Sequence, residues 1–334
     1  MIVTSLRLPF LTRLEGEARV VEESRDEWAR SVTHLVRQTG GQLVGWAGPA
    51  LASGDSLSPP PGSGLEEDQV IPVFLSQDQL EDQYRHCRRA LWPLLHSMAD
   101  RAEFHESHWA QYSRVNNIFA EATLAALRRL TESRPGEMVN IIINDYHLMA
   151  VPDIVKRVAT QEGLPCRIGY FHHVPFPPWD MIKVHPWKDF FLQGILGSDL
   201  IGFQSSDYAL NFLDCCERGL GTRVERRLMM VEHGAGGRLD QTQWSDSDFS
   251  CRKVKVRSLP LGIPFERFGS LAERAESGEI CVERDRQVVV SVDTLDYTKG
   301  LTHRIAAFER LLDKYHIHQH KVTLLSVLLP STVL

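Results

Sequence analysis

The sequence of 334 residues lacks three features that would each assign it to a class of protein. Its six cysteines include no CxxC pair, so we expect free thiols in a reducing compartment rather than a disulfide framework. No apolar run is long enough to cross a membrane, and Arg7 and Pro9 interrupt an N-terminal run too short for a signal peptide. A net charge of −6 gives no reason to expect nucleic acid or a membrane as partner. We therefore expect a cytoplasmic protein.

A hydrophobic content of 43% and a charged content of 24% are typical of a soluble globular protein. Short runs of branched apolar residues alternate with amphipathic segments, which predicts an α/β protein. Residues 259–264 resemble a hinge, so we predict a first domain over residues 1–258 and a second over residues 259–334. The second contains only two predicted strands and one helix. We expect it to be truncated, because this is too little to bury both faces of a sheet.

One predicted strand, residues 139–144, ends at side chains that carry charge or form hydrogen bonds. Asp145 and His147 follow it directly. In open α/β sheets ligands bind at the carboxyl ends of the strands, because the loops diverge there and helices point their positive ends at the site. The alternative is that Asp145 only caps the next helix and that His147 is an ordinary loop histidine.

A second predicted strand leads into His172 and His173, which precede a segment containing three prolines. The prolines stiffen the backbone and fix the direction of the preceding side chains. Neighbouring residues of an extended segment point to opposite faces, so at most one of the two histidines faces a given ligand. A metal site made from His147, His172 or His173 with Asp145 would indicate a metal-dependent hydrolase. No HExxH or HxH spacing supports that alternative.

The valine-rich residues 287–292 predict a buried strand, followed by a loop and then by a helix over residues 300–315. Lys299 and the free N–H groups at the start of this helix form an anion site suited to a diphosphate. Gly300 would relieve crowding at the turn. The GxxxxGK[ST] spacing of a Walker loop is missing. The alternative is that Lys299 is a solvated surface lysine.

Five motifs in this order resemble those of the trehalose-6-phosphate synthase family. They are NDYHLM from Asn144, RIGYFHHVPFP from Arg167, GSDLIGFQSSDYA from Gly197, PLGIPFERF from Pro260 and VDTLDYTKG from Val292. The match runs from about residue 1 to residue 331, and residues 222–227 with 231–234 look most like the animal members.

The resemblance implies a GT-B fold, in which two Rossmann-like domains bind the acceptor and the nucleotide sugar; here the second is truncated. It implies transfer of glucose from UDP-glucose to glucose 6-phosphate, giving trehalose 6-phosphate and UDP, with neither metal nor cofactor. An alternative is a non-catalytic partner that keeps only the acceptor site. Such a chain would associate with a complete synthase or with a second copy of itself.

Motif positions in the family imply a role for five residues of this sequence. Asp145 would bind the hydroxyls of the acceptor sugar and His173 would contact the donor glucose, and these two are the implied catalytic residues. Arg7 would hold the acceptor phosphate. Trp92 would line the acceptor pocket, unless it is a buried core tryptophan. Lys299 would neutralise the departing diphosphate.

Four places in the sequence depart from the family pattern. Thr294 replaces an arginine of the VDRLDY motif, and Thr332 replaces an arginine that follows Pro-Ser. Asp26 and Glu27 stand where the family has a Gly-Gly loop, and Tyr84 is one residue out of register before the Trp-Pro pair. Loss of one charge-assisted hydrogen bond to phosphate weakens binding by about ten- to a hundred-fold.

Overall fold

The computed structural model of the chain describes residues 1–15, 18–24, 27–46, 48, 57–234, 251–274 and 286–330. The chain divides into two compact units, Met1–Pro260 and Leu261–Leu334. In both units strands and helices alternate, as the sequence predicts. Within the residues that the structure describes, no helix combines the length and apolar composition needed to cross a membrane.

The first unit contains eleven described strands, nine in one sheet and two in a separate antiparallel hairpin. The strands are β1 (Ile2–Arg7), β2 (Phe10–Glu15), β3 (Ala18–Glu23), β4 (Gln42–Trp46), β5 (Val70–Val73), β6 (Val139–Asn144), β7 (Cys166–His172), β8 (Leu200–Phe203), β9 (Arg223–Glu225), β10 (Met230–Gly234) and β11 (Cys251–Ser258).

Helices connect the parallel strands of this sheet. They are α1 (Glu27–Thr39), α2 (Gln77–Arg85), α3 (Trp92–Leu95), α4 (Glu106–Ser133), α5 (Val151–Gln161), α6 (Trp179–Ile182), α7 (Lys188–Leu196) and α8 (Ser206–Leu220). A π-helical turn, His86–Leu91, joins α2 to α3, and a 3-10 turn, Tyr146–Leu148, follows β6.

The order of strands in the large sheet is β5-β4-β1-β6-β7-β8-β11-β10-β9. The first seven are parallel to one another, whereas β10 is antiparallel to both β11 and β9. From β1 the chain proceeds to β4 and β5 on one side. From β6 it proceeds to β7 and β8 on the other. The strand order therefore reverses between β1 and β6.

The core of the first unit lies between this sheet and the helices that cover it. In β6 the branched residues Ile141 and Ile143 are buried, and Asn140 is exposed. Residues three and four apart in α4 and α5 form a buried apolar stripe. Fully buried members of this core are Val3, Val115, Phe119, Leu127, Ile143, Val151, Val155, Ile168, Ile201 and Phe203.

The second unit contains the parallel pair β12 (Gln287–Thr294) and β13 (Val322–Leu329), with α9 (Phe265–Arg274) and α10 (Leu301–Lys314). Both strands form where the sequence predicts them. The prediction that the valine run is buried is wrong, since Val290 is 60% and Val292 64% exposed. The valines favour extended backbone, but burial requires covering neighbours, and the described part of this sheet has two strands.

Candidate active site

The reversal of strand order brings two predicted site residues to adjacent positions at the carboxyl edge of the sheet. Arg7 is the last residue of β1, and Asp145 comes directly after β6. These strands are paired, with Thr4 opposite Ile143. A crevice outside the carboxyl ends of the strands at such a switch point is the usual ligand site of an open α/β sheet.

Asp145 has an unusual backbone conformation. Its φ of 73° lies in the left-handed region, which residues other than glycine rarely adopt and which is found most often at functional sites. Its N–H donates to the carbonyl of Phe171 at 2.8 Å, and its Oδ1 accepts from the N–H of His173 at 3.1 Å. The side chain forms no helix-capping bond to the Tyr146–Leu148 turn, although the N–H of Tyr146 favours its charged form. Its hydrogen bonds therefore tie β6 to the end of β7.

The carboxyl group of Asp145 is difficult to ionise. Burial raises its pKa to about 6, because the charged form loses solvation, and nearby backbone N–H groups oppose this rise. The Nδ1 atom of His147 lies 3.7 Å from Oδ2. A carboxyl group that titrates near neutral pH at a strand end is typical of a binding or catalytic position.

The two adjacent histidines point to opposite faces, as the sequence predicts. His172 is fully buried, with Nδ1 2.9 Å from the hydroxyl of Tyr170. His173 is half-buried, with Nε2 3.2 Å from Oδ1 of Asn144. The amide of Asn144 donates to the carbonyl of Thr4, so its oxygen faces the ring. His173 Nε2 must then carry the hydrogen, which leaves Nδ1 as an acceptor.

Burial is the main influence on the titration of His147. Its pKa is lowered to about 3, first by burial and then by Arg7, His173 and Arg88. The neutral imidazole next to Asp145 therefore provides no counter-charge. Among the described residues, Arg7 and Arg88 are arginines whose charge acts on His147.

Trp92 is half-buried and lies close to the turn that follows β6. Its ring centroid is 6.1 Å from that of Tyr146 and 4.1 Å from that of His96. The guanidinium carbon of Arg88 lies 5.1 Å from the Trp92 ring. Trp92 is therefore not part of the fully buried core.

Side chains from α4 and α2 hold the turn after β6 in place. The hydroxyl of Tyr112 donates to the carbonyl of Tyr146 at 2.8 Å. The amide of Asn116 donates to the carbonyl of His147 at 3.1 Å, and its oxygen accepts from the N–H of Ala150 at 3.1 Å. Gln83 also donates to the carbonyl of His147 at 3.1 Å. Sequence reasoning missed these residues, although polar residues four apart on the apolar face of α4 are a signal for them.

Lys299 belongs to the second unit, where it ends the 3-10 turn Tyr297–Lys299 and is exposed. Gly300 has a φ of 62°, and a Cβ built there would meet no atom within 4 Å. The prediction that Gly300 relieves crowding is therefore wrong, because the left-handed conformation is what requires glycine. The carboxylate of Asp293 pairs with Arg304 at 2.5 Å.

Of the positions that depart from the family pattern, the structure describes Thr294 and Tyr84 fully. Thr294 is exposed at the end of β12, and Tyr84 is half-buried in α2 next to the buried Gln83. Asp26 and Thr332 lie outside the residues that the structure describes. The side chain of Glu27, the first residue of α1, is outside them as well.

No metal centre is formed by the described part of the chain. There, no group of three or more His, Cys, Asp and Glu side chains is placed to hold a metal ion. The proposed set of His147, His172, His173 and Asp145 includes His172 on the buried face, bonded to Tyr170. The described residues therefore give no support to the metal-dependent hydrolase.

Comparison with known proteins assigns the chain to a family. The model of glycosyltransferase family 20 matches residues 2–333. The chain belongs to glycosyltransferase family 20. Its members include proteins similar to this one over 99% of its length.

Two relatives illustrate how far the similarity extends. The bifunctional trehalose-6-phosphate synthase/phosphatase of Thermoproteus tenax is 34% identical over 350 residues, which cover 99% of this chain and 42% of the relative. The trehalose-6-phosphate synthase of Mycobacterium sp. (strain JLS) is 30% identical over 99% of this chain and 64% of the relative. The chain thus spans less than two thirds of the length of either relative.

Solved structures of the family share the fold. The α,α-trehalose 6-phosphate synthase of Burkholderia multivorans superposes with a TM-score of 0.75 at 27% identity, covering 99% of this chain and 65% of that one. The UDP-forming synthase of Burkholderia vietnamiensis gives a TM-score of 0.72 at 26% identity, covering 99% and 64%. The predicted α/β fold of the GT-B type is confirmed.

Proposed function

We propose that this chain is a trehalose-6-phosphate synthase-type glucosyltransferase, which transfers glucose from UDP-glucose to glucose 6-phosphate. The observation that carries the proposal is the placement of Arg7 and Asp145 side by side at the switch point of the large sheet. A cation next to a carboxyl group suits a ligand that has both a phosphate and hydroxyls. The names of the relatives support the same activity.

In this proposal the residues 1–258 form the acceptor domain. Asp145 accepts hydrogen bonds from the sugar hydroxyls, and Arg7 pairs with the phosphate. Trp92 lines the pocket with its ring, as aromatic side chains do in many ligand sites. His173 contacts the donor glucose, and its Nδ1 is suited to accept a hydroxyl hydrogen because Nε2 donates to Asn144.

Residues 259–334 contribute to the nucleotide-sugar domain in this proposal. When the bond between the glucose C1 and the diphosphate oxygen breaks, negative charge grows on the diphosphate. Lys299 and the start of α10 stabilise that charge more in the transition state than in the ground state. The new bond joins C1 to the acceptor oxygen, and the departing phosphate takes the proton of the acceptor hydroxyl. The family resemblance assigns neither metal nor cofactor to this transfer.

Two further assignments belong to the proposal. A cytoplasmic location fits the free, buried thiols of Cys87, Cys166, Cys215 and Cys216, which would persist in a reducing compartment. Association with a complete synthase or with a second copy is the proposed partnership.

Calorimetry and product analysis test the function directly. The 334-residue chain is titrated with glucose 6-phosphate and with UDP-glucose separately, and the products of a mixture are separated by chromatography. We expect each ligand to bind, and trehalose 6-phosphate to form only when both are present. Absence of glucose 6-phosphate binding would overturn the proposal. Binding of glucose 6-phosphate without UDP-glucose binding or product would identify the non-catalytic partner instead.

A further inference from the structure

Two adjacent arginines in the π-helical turn have different surroundings. Arg89 is exposed and pairs with Glu103 at 3.3 Å. Arg88 is half-buried, and its guanidinium carbon lies 5.1 Å from the ring centroid of Trp92. The N–H of Trp92 donates to the carbonyl of Cys87, five residues back, so the turn is wider than an α-helix. Arg88 and Trp92 nevertheless lie on the same side of it, one turn apart.

The π-helical turn packs against the Tyr146–Leu148 turn, which follows Asp145. Strand β1, which ends at Arg7, packs against the same turn. Trp92 lies near both turns. Its ring centroid is 6.1 Å from that of Tyr146 and 5.1 Å from the guanidinium carbon of Arg88. The charges of Arg7 and Arg88 also act on one imidazole, that of His147. Two cations from different elements therefore lie near the same imidazole.

The charge of the proposed acceptor needs more than one cation. A phosphate monoester carries about −1.5 to −2 charges at pH 7 and three acceptor oxygens. Arg7 supplies one positive charge, and His147 supplies none because its pKa is lowered to about 3. Asp145 adds negative charge to the site when it is ionised. A guanidinium can bind two phosphate oxygens through its planar fork, and stacking on an aromatic ring fixes the plane of that fork.

We propose that Arg88 binds the phosphate of the acceptor together with Arg7, with its guanidinium oriented by the ring of Trp92. This inference rests on the proposed function and names a second cation for that site. It predicts that the site distinguishes a sugar phosphate from the free sugar chiefly through these two arginines.

Three variants of the full chain test this role, with the neighbouring arginine as matched control. Arg88→Gln removes the positive charge. Arg88→Lys keeps the charge but loses the planar guanidinium that can bind two oxygens. Arg89→Gln, the control, removes an exposed charge from the same turn. Calorimetry with glucose 6-phosphate, inorganic phosphate and glucose gives the dissociation constants. We expect Arg88→Gln to weaken glucose 6-phosphate binding by about ten- to a hundred-fold. Arg88→Lys should recover part of that loss, and Arg89→Gln should stay within about twofold of the wild type.

The same experiment separates failure of this inference from failure of the proposed function. If the wild-type chain does not bind glucose 6-phosphate, the proposed function and this inference fall together. If it binds and Arg88→Gln binds equally well, only the role of Arg88 is wrong. Arg88→Met, which keeps an unbranched apolar stem against Trp92, replaces Arg88→Gln if the latter does not fold. A loss of affinity in Arg89→Gln as large as in Arg88→Gln would also contradict a specific contact.

Discussion

Asp145 combines a left-handed backbone conformation with a carboxyl group whose pKa is raised to about 6. Neither feature stabilises the fold. Above pH 6 the native state must keep a partly buried carboxylate, whereas the unfolded chain ionises the same group freely. The free energy of unfolding therefore falls as the pH rises from 3.8, the pKa of Asp145 in the unfolded chain, through about 6, its pKa in the native state. Residues that cost stability are expected where binding requires them.

Asp145→Asn should therefore separate binding from stability. At pH 7.5 the amide removes the cost of the buried charge, so the free energy of unfolding should rise by up to about 2–3 kcal/mol. The amide oxygen can still accept the N–H of His173, but glucose 6-phosphate binding should weaken at least about tenfold. Calorimetric unfolding and titration measure the two effects. Asp180→Asn, at a carboxylate that is 70% exposed, is the control and should change neither. A collapse of the melting temperature in Asp145→Asn would indicate a structural role.

His86 and His185 are buried titratable groups outside the candidate site. Their exposed fractions are 1% and 0%, and their ring centroids are 5.7 Å apart among the rings of Trp109, Tyr112 and Trp187. Burial lowers the pKa of each to about 3. His108 lowers the pKa of His86 further, and His86 and Lys188 do the same for His185. Both imidazoles are therefore neutral in the native state at pH 7.

These histidines predict acid sensitivity with a definite sign. Below pH 6.5 both imidazoles bind protons in the unfolded chain, whereas in the native state they stay neutral until the pH falls to about 3. Each histidine then lowers the free energy of unfolding by about 1.4 kcal/mol per pH unit. His86→Phe should flatten the fall of melting temperature between pH 6 and pH 4, whatever its effect at pH 7. His34→Gln, at an exposed position, is the control. Equal slopes for His86→Phe and the wild type would refute the prediction.

At the scale of elements, α4 fixes the turn that carries the site. Asn116 is fully buried and bonds to three backbone groups, those of Tyr112, His147 and Ala150. The last two belong to the segment that follows β6. The geometry of the Asp145 edge thus depends in part on an amide from a helix that sequence reasoning did not connect to it.

Asn116→Ala should destabilise the protein and weaken ligand binding together. It leaves the N–H of Ala150 without this acceptor and removes one of the two side-chain donors to the carbonyl of His147, at a cost of about 1–3 kcal/mol in the free energy of unfolding. Asn117→Ala is the matched control, because Asn117 is the exposed neighbour on α4 and bonds to Ser113. Denaturant unfolding gives the stability, and titration with glucose 6-phosphate gives the affinity. A loss below about 0.5 kcal/mol for Asn116→Ala would contradict this role of α4.

The elements themselves were predictable to differing degrees. A run of branched apolar residues identifies β6, and helical spacing of apolar residues identifies α10, although no residue of α10 is buried. The π-helical turn was not predicted, because helical spacing of apolar residues does not distinguish its wider hydrogen bonds from those of an α-helix. Tyr84 is out of register immediately before it. The valines of β12 predict a strand but not its exposure, which depends on neighbouring strands.

At the scale of the whole molecule, the site exists because of strand order. The sequence places Arg7 and Asp145 138 positions apart, and each alone is an ordinary strand-end residue. Family motifs indicated their roles, but their proximity follows from the pairing of β1 with β6 in the described sheet. Arg88 was not predictable from any motif, because its contribution depends on the packing of the π-helical turn against this edge.

The most direct test of the account is a crystal structure of the chain with glucose 6-phosphate bound. The account predicts the sugar at the carboxyl edge of β1 and β6, with a hydroxyl about 2.6–3.2 Å from the carboxylate of Asp145 and the phosphate within reach of Arg7. A sugar phosphate bound elsewhere on the first unit, with no contact to Asp145, would contradict it.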